Sequence, residues 1–101
     1  MDEADLKKHL EKFHTGKRSG DYLLDVDCPN SSTGLWLKDR LQAWRICETA
    51  FKSGAATMIR LSFYPNKNTE EILFDSKNKG LVEKMEQSLK RQAEKRSLRE
   101  K

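Results

Sequence analysis

The chain of 101 residues has few of the residues that mark several protein classes. Its two cysteines are too few for the disulfide framework of a small secreted domain. Its five glycines do not follow the spacing of a phosphate-binding loop or of a dinucleotide-binding fingerprint. Its apolar runs extend over about three residues, so no segment is long enough for a transmembrane helix.

The N-terminal sequence Met1-Asp2-Glu3 is acidic and lacks the apolar stretch of a secretory signal. Hydrophobic and charged residues each make up 36% of the chain, which is a polar composition for a globular protein of one domain. Aromatic and branched aliphatic residues nevertheless recur in ordered patterns, which disordered segments lack. We therefore expect a soluble cytoplasmic protein (or a nuclear one in a eukaryote) that is neither secreted nor bound to a membrane.

The net charge of +4 is unevenly distributed along the chain. Residues 21–34 have a net charge of −3, whereas residues 35–64 and residues 81–101 each have a net charge of +3. Because clustered lysine and arginine side chains attract phosphate groups, this layout favours different partners for the acidic and the basic segments.

Hydrophobic spacing and turn residues together predict six secondary-structure elements. Apolar residues three and four positions apart are typical of helices, and alternating apolar and polar residues are typical of strands. Residues 29–34, which are rich in serine and include Pro29 and Gly34, form a predicted turn before the central helix. The predicted helices cover residues 2–14, 35–53 and 76–101, and the predicted strands cover residues 22–28, 57–64 and 69–75.

The predicted fold is an α+β domain with two layers and the element order α-β-α-β-β-α. The helix between the first two strands permits a parallel crossover, and the last two strands form a hairpin, so we expect a small mixed three-stranded sheet covered by helices. We assign residues 1–89 to this domain and residues 90–101 to a basic C-terminal extension, helical or frayed, because apolar residues become scarce after Leu89. A homodimer formed through a sheet edge or the last helix would enlarge the small core.

The first predicted strand contains the most suggestive local motif. Alternation places the carboxylates of Asp25 and Asp27 on one face, about 6.5–7 Å apart, where paired carboxylates can hold Mg²⁺. The string Tyr-Leu-Leu-Asp-Val-Asp at residues 22–27 resembles the first motif of haloacid-dehalogenase phosphatases and of archaeo-eukaryotic primases. The resemblance implies metal-dependent phosphoryl or nucleotidyl transfer. It covers about six residues and no second motif follows, so we favour the alternative, the solvated face of an edge strand.

Two further chemical sites have still less support from the sequence. Asp75 and Lys77 have the spacing of one class of nucleases, but they fall at a junction between a strand and a helix. Cys28 and Cys47 lack the close pairing of zinc ligands, and we expect structural thiols. We therefore predict that the chain is not an enzyme and needs no cofactor or metal.

The last predicted helix has the strongest functional signal. Residues 90–101 include six basic and two acidic residues, a density that can follow a phosphate backbone. The alternatives are a solvated helix end without a specific role and a helix that pairs with a partner chain. The predicted nucleic-acid-binding residues are Lys17, Arg18, Arg45, Lys90, Arg91, Lys95, Arg96 and Arg99.

Two aromatic residues are predicted to take part in a protein interface. Trp36 falls at the edge of the central helix pattern, and Tyr64 is the aromatic residue among the outward strand positions. Because the outward positions have a net negative charge and include no other aromatic residue, we do not expect the sheet to bind RNA. The sequence thus predicts a small non-enzymatic nucleic-acid-binding or regulatory protein. The alternative is a protein-interaction module, an adaptor or inhibitor of the kind found in phages and plasmids.

Overall fold

The computed structural model describes residues 1–15, 17–18 and 20–99, with side chains up to Arg96. The described residues form an α+β architecture with three helices and a four-stranded antiparallel sheet. The helices are α1 (Glu3–Glu11), α2 (Arg40–Ser53) and α3 (Lys79–Arg99), and the strands are β1 (Tyr22–Asp27), β2 (Ser32–Leu37), β3 (Met58–Asn66) and β4 (Thr69–Asp75).

The sheet has the strand order β2-β1-β3-β4, and every neighbouring pair is antiparallel. β1 and β2 form one hairpin, β3 and β4 form another, and α2 connects the two hairpins across β1. The α+β class and the hairpin of the last two strands are confirmed. The mixed three-stranded sheet and the order α-β-α-β-β-α are wrong, because an additional strand reverses the chain before the central helix begins.

The additional strand is β2, whose last residues were predicted to open the central helix. Leu35 and Leu37 are buried, while Trp36 between them points to the opposite face of the sheet. Leu37 also has a helical spacing to apolar residues further along the chain. Residues 35–37 therefore fit both the strand period of two residues and the helix period of 3.6 residues. Pairing of Leu35 with Leu24 in the ladder stabilises the extended alternative.

Capping residues set the ends of the helices. The Asp39 side chain accepts a hydrogen bond from the backbone N–H of Gln42 (3.1 Å), so α2 begins at Arg40 and not at Leu35, where the sequence predicted its start. Gly54 ends α2 in the left-handed conformation with φ 69°, which confirms the predicted helix end at residue 53. At the start of α3 the side chain of Asn78 accepts a hydrogen bond from the N–H of Leu81 (3.2 Å).

The helices pack on one face of the sheet and enclose the hydrophobic core. Phe74 of β4 is fully buried, and its ring meets Trp44 and Phe51 of α2 edge to face at centroid distances of 6.3 and 5.8 Å. Helix α1 packs on α2 and β2, whereas α3 packs on β4. Leu6 of α1 and Met85 of α3 are therefore buried at opposite ends of one continuous core.

The packing side of α3 continues beyond its apolar residues as a polar contact. The side-chain amide of Gln92 donates a hydrogen bond of 3.3 Å to the carboxylate of Glu48, which is 8% exposed. Glu48 lies within the apolar side of α2, and the neutral side chain of Gln92 provides a hydrogen-bond donor for its buried carboxylate. The domain division at residue 89 stays a prediction, and residues 100–101 of the predicted extension lie outside the described residues.

The carboxylate of Glu3 ties α1 to the turn between β1 and β2. It accepts hydrogen bonds from the backbone and side-chain amides of Asn30 (2.8 and 3.1 Å) and a longer one from the hydroxyl of Ser31 (3.5 Å). The hydrogen bonds from Asn30 hold the pKa of Glu3 below its ordinary value. The ionised carboxylate is therefore favoured by the folded state.

We predict that Glu3→Gln lowers the melting temperature by about 2–4 °C at pH 7. A pKa that is lower in the folded chain contributes stability above the unfolded pKa, and this contribution is lost as the pH falls through the folded value. The difference between variant and wild type should therefore shrink below about pH 4. Thermal melts followed by circular dichroism would check this, with Glu11→Gln on the exposed side of α1 as the control. A difference that does not change with pH would contradict the explanation.

Candidate functional site

Trp36 and Tyr64 form a contact on the sheet face that the helices do not cover, which we call the open face. Trp36 belongs to β2 and Tyr64 to β3, and their ring centroids are 5.6 Å apart with the planes tilted by 54°. Both side chains are half-buried, and Leu23 of β1 lies opposite Trp36 in the ladder. The structure thus joins the two residues that were predicted separately as interface residues. We call them the aromatic pair.

The guanidinium group of Arg18 lies over the aromatic pair. Its Cζ atom is 4.5 Å from the ring centroid of Trp36 and 6.0 Å from that of Tyr64, within the range of cation–π attraction. The Nε–H of Arg18 also donates a hydrogen bond to the carbonyl oxygen of Gly20 (3.2 Å), and the guanidinium pairs with Asp21 at 3.4 Å. The connector between α1 and β1 therefore places a cation on the two rings.

Gly20 allows the connector to run close to the end of β2. The backbone of Leu37 and Lys38 passes so near that a β-carbon on Gly20 would collide with it. Glycine has no β-carbon, so the close approach costs no steric strain. The connector is consequently held beside Trp36.

Carboxylates lie on the same open face as the aromatic pair. Asp25 lies opposite Arg60 in the ladder between β1 and β3, and Arg60 forms an ion pair with Asp75 at 3.3 Å. The hydroxyl of Ser62 donates a hydrogen bond of 2.8 Å to the carboxylate of Glu70. The strands β1 and β4 contribute the carboxylates of Asp25, Asp27, Glu70 and Asp75 to the open face, and Asp21 pairs with Arg18 beside the aromatic pair.

The carboxylates give the open face a negative potential beside the two rings. Partial burial raises the pKa of Asp25, and the neighbouring Asp27 raises it further, while Arg60 lowers it. Burial also raises the pKa of Tyr64, and Glu70 and Asp25 act in the same direction. Of the carboxylates on this face, Glu70 and Asp25 are the two that raise the pKa of Tyr64.

We predict that Asp25→Asn raises the melting temperature by about 2 °C at pH 7. A carboxyl group whose pKa is raised by folding opposes folding when it is ionised, and this penalty disappears once the group is protonated. The gain should therefore be present at neutral pH and vanish below about pH 3, where Asp25 is neutral in both states. Thermal melts across this pH range would check the prediction, and a lower melting temperature for the variant at pH 7 would contradict it.

The carboxylates of the open face do not form a recognisable metal centre. Asp25 and Asp27 share a face as predicted, but among the described residues no group of three or more His, Cys, Asp and Glu side chains could hold a metal ion. The carboxylate of Asp75 accepts a hydrogen bond from the backbone N–H of Lys77 (2.9 Å), so it caps the turn after β4. Burial raises the pKa of the Cys47 thiol to about 12, which leaves it protonated and unreactive at neutral pH.

Three basic residues form a ridge on α3, which we call the basic ridge. At 100° per residue, Lys84, Arg91 and Lys95 lie within about 40° of one another around the helix and extend over about 16 Å along it. All three side chains are exposed. The two ion pairs found among the described residues lie on the connector and on the sheet, so no acidic side chain neutralises the ridge there. The acidic residues of α3 lie about 80° or more from the centre of the ridge.

The structure does not bring all the predicted nucleic-acid-binding residues together. Lys17 and Arg18 lie on the connector near the β2 edge of the sheet, whereas α3 packs at the β4 edge. Arg45 is exposed on α2 and lines a shallow groove between α1 and α2. Arg99 belongs to α3, but its side chain lies outside the described residues. The remaining four residues, Lys90, Arg91, Lys95 and Arg96, are exposed on α3.

The placement of Arg18 on the aromatic pair was missed by sequence reasoning. The only sequence signal was the alternation of Leu35, Trp36 and Leu37, which would have placed Trp36 on an outward strand position. The contact between Trp36 and Tyr64 further depends on both strands pairing with β1, which local spacing does not reveal.

Among the described residues, no helix combines the length and the apolar character needed to span a bilayer. Comparisons of the chain with protein-family models, with curated proteins and with solved structures find no match.

Proposed function

We propose that this chain is a non-enzymatic nucleic-acid-binding protein whose basic ridge contacts the phosphate backbone. The observation that carries the proposal is the exposure of Lys84, Arg91 and Lys95 on one side of α3, with no ion pair there among the described residues. Cations that form no internal ion pair can release condensed counterions from nucleic acid without first losing an internal partner.

The dimensions of the basic ridge suit a phosphate backbone. Its length of about 16 Å corresponds to about five successive phosphates of one strand of B-form DNA. Lys90 and Arg96 are also exposed, but they lie about 120° to either side of the centre of the ridge and add to the positive charge of α3 without belonging to the ridge. Contacts of this kind position the protein and do not read bases, so we expect binding that is independent of sequence.

The open face is unsuited to the same ligand. Its carboxylates outnumber the cations of Arg18 and Arg60, and these arginines already form ion pairs with Asp21 and Asp75. A phosphate backbone on this face would meet like charge. Binding is therefore proposed for the helical layer, where the exposed Arg45 of α2 adds to the positive charge.

Fluorescence anisotropy with labelled probes of about 20 base pairs or nucleotides tests the proposal. The probes are a DNA duplex, an RNA duplex and a single strand, each titrated at several salt concentrations. We expect the logarithm of the association constant to fall linearly with the logarithm of salt, with a slope of about −3 or steeper. Failure to bind any of the three probes at about 50 mM salt would overturn the proposal.

A protein-interaction module is the second candidate, and the aromatic pair favours it. Trp36 and Tyr64 are residue types common at the centres of protein interfaces, and the structure places them side by side on the open face. The predicted homodimer stays a prediction. Light scattering at several protein concentrations would measure the mass in solution.

A further inference from the structure

We propose that the open face binds an arginine side chain of a basic partner peptide, and that Arg18 occupies the same place in the free chain. This inference does not depend on nucleic-acid binding, since it concerns the opposite layer of the molecule and other residues. The partner is a peptide with arginines at alternate positions.

The position of Arg18 shows that a guanidinium group fits on the aromatic pair. Its Cζ atom lies 4.5 Å from the centroid of Trp36, and the side chain of Arg18 is still 44% exposed. A planar guanidinium can stack on an aromatic ring and donate hydrogen bonds at its edge at the same time. An arginine from another chain can therefore stack on the aromatic pair once the side chain of Arg18 has moved off the rings.

The charges of the open face complement a basic peptide. Asp75 is paired with Arg60, but Asp25, Asp27 and Glu70 form no ion pair among the described residues. The carboxylate of Glu70 accepts a hydrogen bond from Ser62 (2.8 Å), and Ser62 lies opposite Leu23, the ladder partner of Trp36, so this carboxylate lies near the place where the guanidinium stacks. The surface thus offers rings for one cation and unpaired carboxylates for others.

The spacing of the surface favours alternate arginines. Leu23, which lies opposite Trp36, and Asp25 are two residues apart on β1, so they face the same side about 6.5–7 Å apart. Every second side chain of an extended peptide has this separation. One arginine can therefore stack on the aromatic pair while the next reaches Asp25. A nucleic-acid strand would place its phosphates against the same carboxylates, which disfavours it as the ligand.

Arg18 acts in this proposal as an internal competitor. Its contact with the rings is exposed, and such a contact is worth a factor of roughly two to five in an equilibrium constant. Removing the Arg18 side chain should therefore tighten peptide binding by roughly the same factor, because the free chain no longer has to release its own guanidinium.

Fluorescence of Trp36 provides the test, in a Trp44→Phe background that leaves one indole in the chain. The probe is a peptide of four alternating glycine–arginine pairs, and the matched probe has citrulline, the neutral isostere, at each arginine. We expect the arginine peptide to change the fluorescence saturably and the citrulline peptide to leave it unchanged. Arg18→Gln should tighten binding of the arginine peptide roughly two- to fivefold.

Carboxylate variants distinguish the open face from general charge attraction. Asp25→Asn combined with Asp27→Asn should weaken binding of the arginine peptide about tenfold. The matched control, Glu83→Gln combined with Glu86→Gln on α3, removes the same charge elsewhere and should change binding less than about twofold. Thermal melts of each variant establish that it is folded.

Four results would overturn the proposal. The first two are equal binding of the arginine and citrulline peptides and the absence of a saturable fluorescence change when the arginine peptide is added to the Arg18→Gln variant. The third is weaker binding of the arginine peptide by the Arg18→Gln variant than by its parent. The fourth is an equal loss of affinity in the two double carboxylate variants. A fluorescence change of Trp36 with a single-stranded oligonucleotide, lost on Arg18→Gln, would assign the aromatic pair to nucleic acid instead.

Discussion

Replacing Lys84, Arg91 and Lys95 by glutamine is expected to weaken binding to a DNA duplex about 500-fold at about 0.1 M salt. Each lysine or arginine on a phosphate contributes about −0.9 to the slope of log affinity against log salt. The variant should therefore have a slope that is less steep by about 2.7. Because the three side chains are exposed and unpaired among the described residues, we expect little change in folding stability.

The control for this variant is the replacement of Lys7, Lys8 and Lys12 by glutamine. These lysines are exposed on or directly after α1, which packs on α2 and β2 and thus lies at the other edge of the sheet from α3. Both variants lose the same charge, so a general effect of net charge would reduce both affinities alike. We expect the control to bind within about threefold of wild type. Equal losses, or an unchanged salt slope in the α3 variant, would show that the basic ridge is not the contact surface.

Phe74→Ala is expected to destabilise the fold by about 3–5 kcal/mol. The ring of Phe74 has no exposed area, and it fills the space between Trp44 and Phe51 of α2. Its removal leaves a cavity and loses two edge-to-face ring contacts at the junction of β4 and α2. Since a domain of this size has a total stability of about 5–15 kcal/mol, the variant should be partly unfolded at 37 °C or close to it.

Urea denaturation followed by tryptophan fluorescence would measure this loss. Phe63→Ala is the matched control, because Phe63 is half-buried and stacks on Tyr22 near the end of the sheet. The same chemical change at that position should cost about 1–2 kcal/mol, since the neighbouring chain can collapse onto the gap or water can fill it. Equal losses at the two positions would mean that α2 does not depend on Phe74 for its packing.

The parts of the fold that depend on local spacing could be read from the sequence. The hairpin of β3 and β4 has a turn between two alternating segments, and Gly54 stands at the end of a helical stripe, so each signal lies within a few residues. β2 was missed because residues 35–37 are too few to separate a period of two from a period of 3.6. The decisive interaction was non-local, since Leu35 pairs with Leu24 across the ladder.

The sequence predicted individual residues of the candidate site but not how they are arranged relative to one another. The exposure of Lys95 and Arg91 follows from their positions on a polar helix, whereas Lys84, the third residue of the basic ridge, was not among the predicted residues. The arrangement of Arg18 above Trp36 and Tyr64 depends on the register of β1 with both neighbours. It also depends on the close approach allowed by glycine at the end of the connector. The connector, β2 and β3 meet only in the folded chain, so no local spacing of residues in the sequence indicates this contact.

Because the helices cover only one face of the sheet, the basic residues of α3 and the acidic residues of the open face lie in different layers, and this separation of charge gives the molecule an electric dipole. The cations of α3 lie on the helical side, and the carboxylates of β1 and β4 lie on the other, so the two ends of this dipole coincide with the two proposed binding surfaces. A field from a polyanion would turn the molecule before contact, with the helices toward the polyanion and the sheet away from it. A basic partner would then approach from the solvent side, and both ligands could be held at once without competing for the same charges.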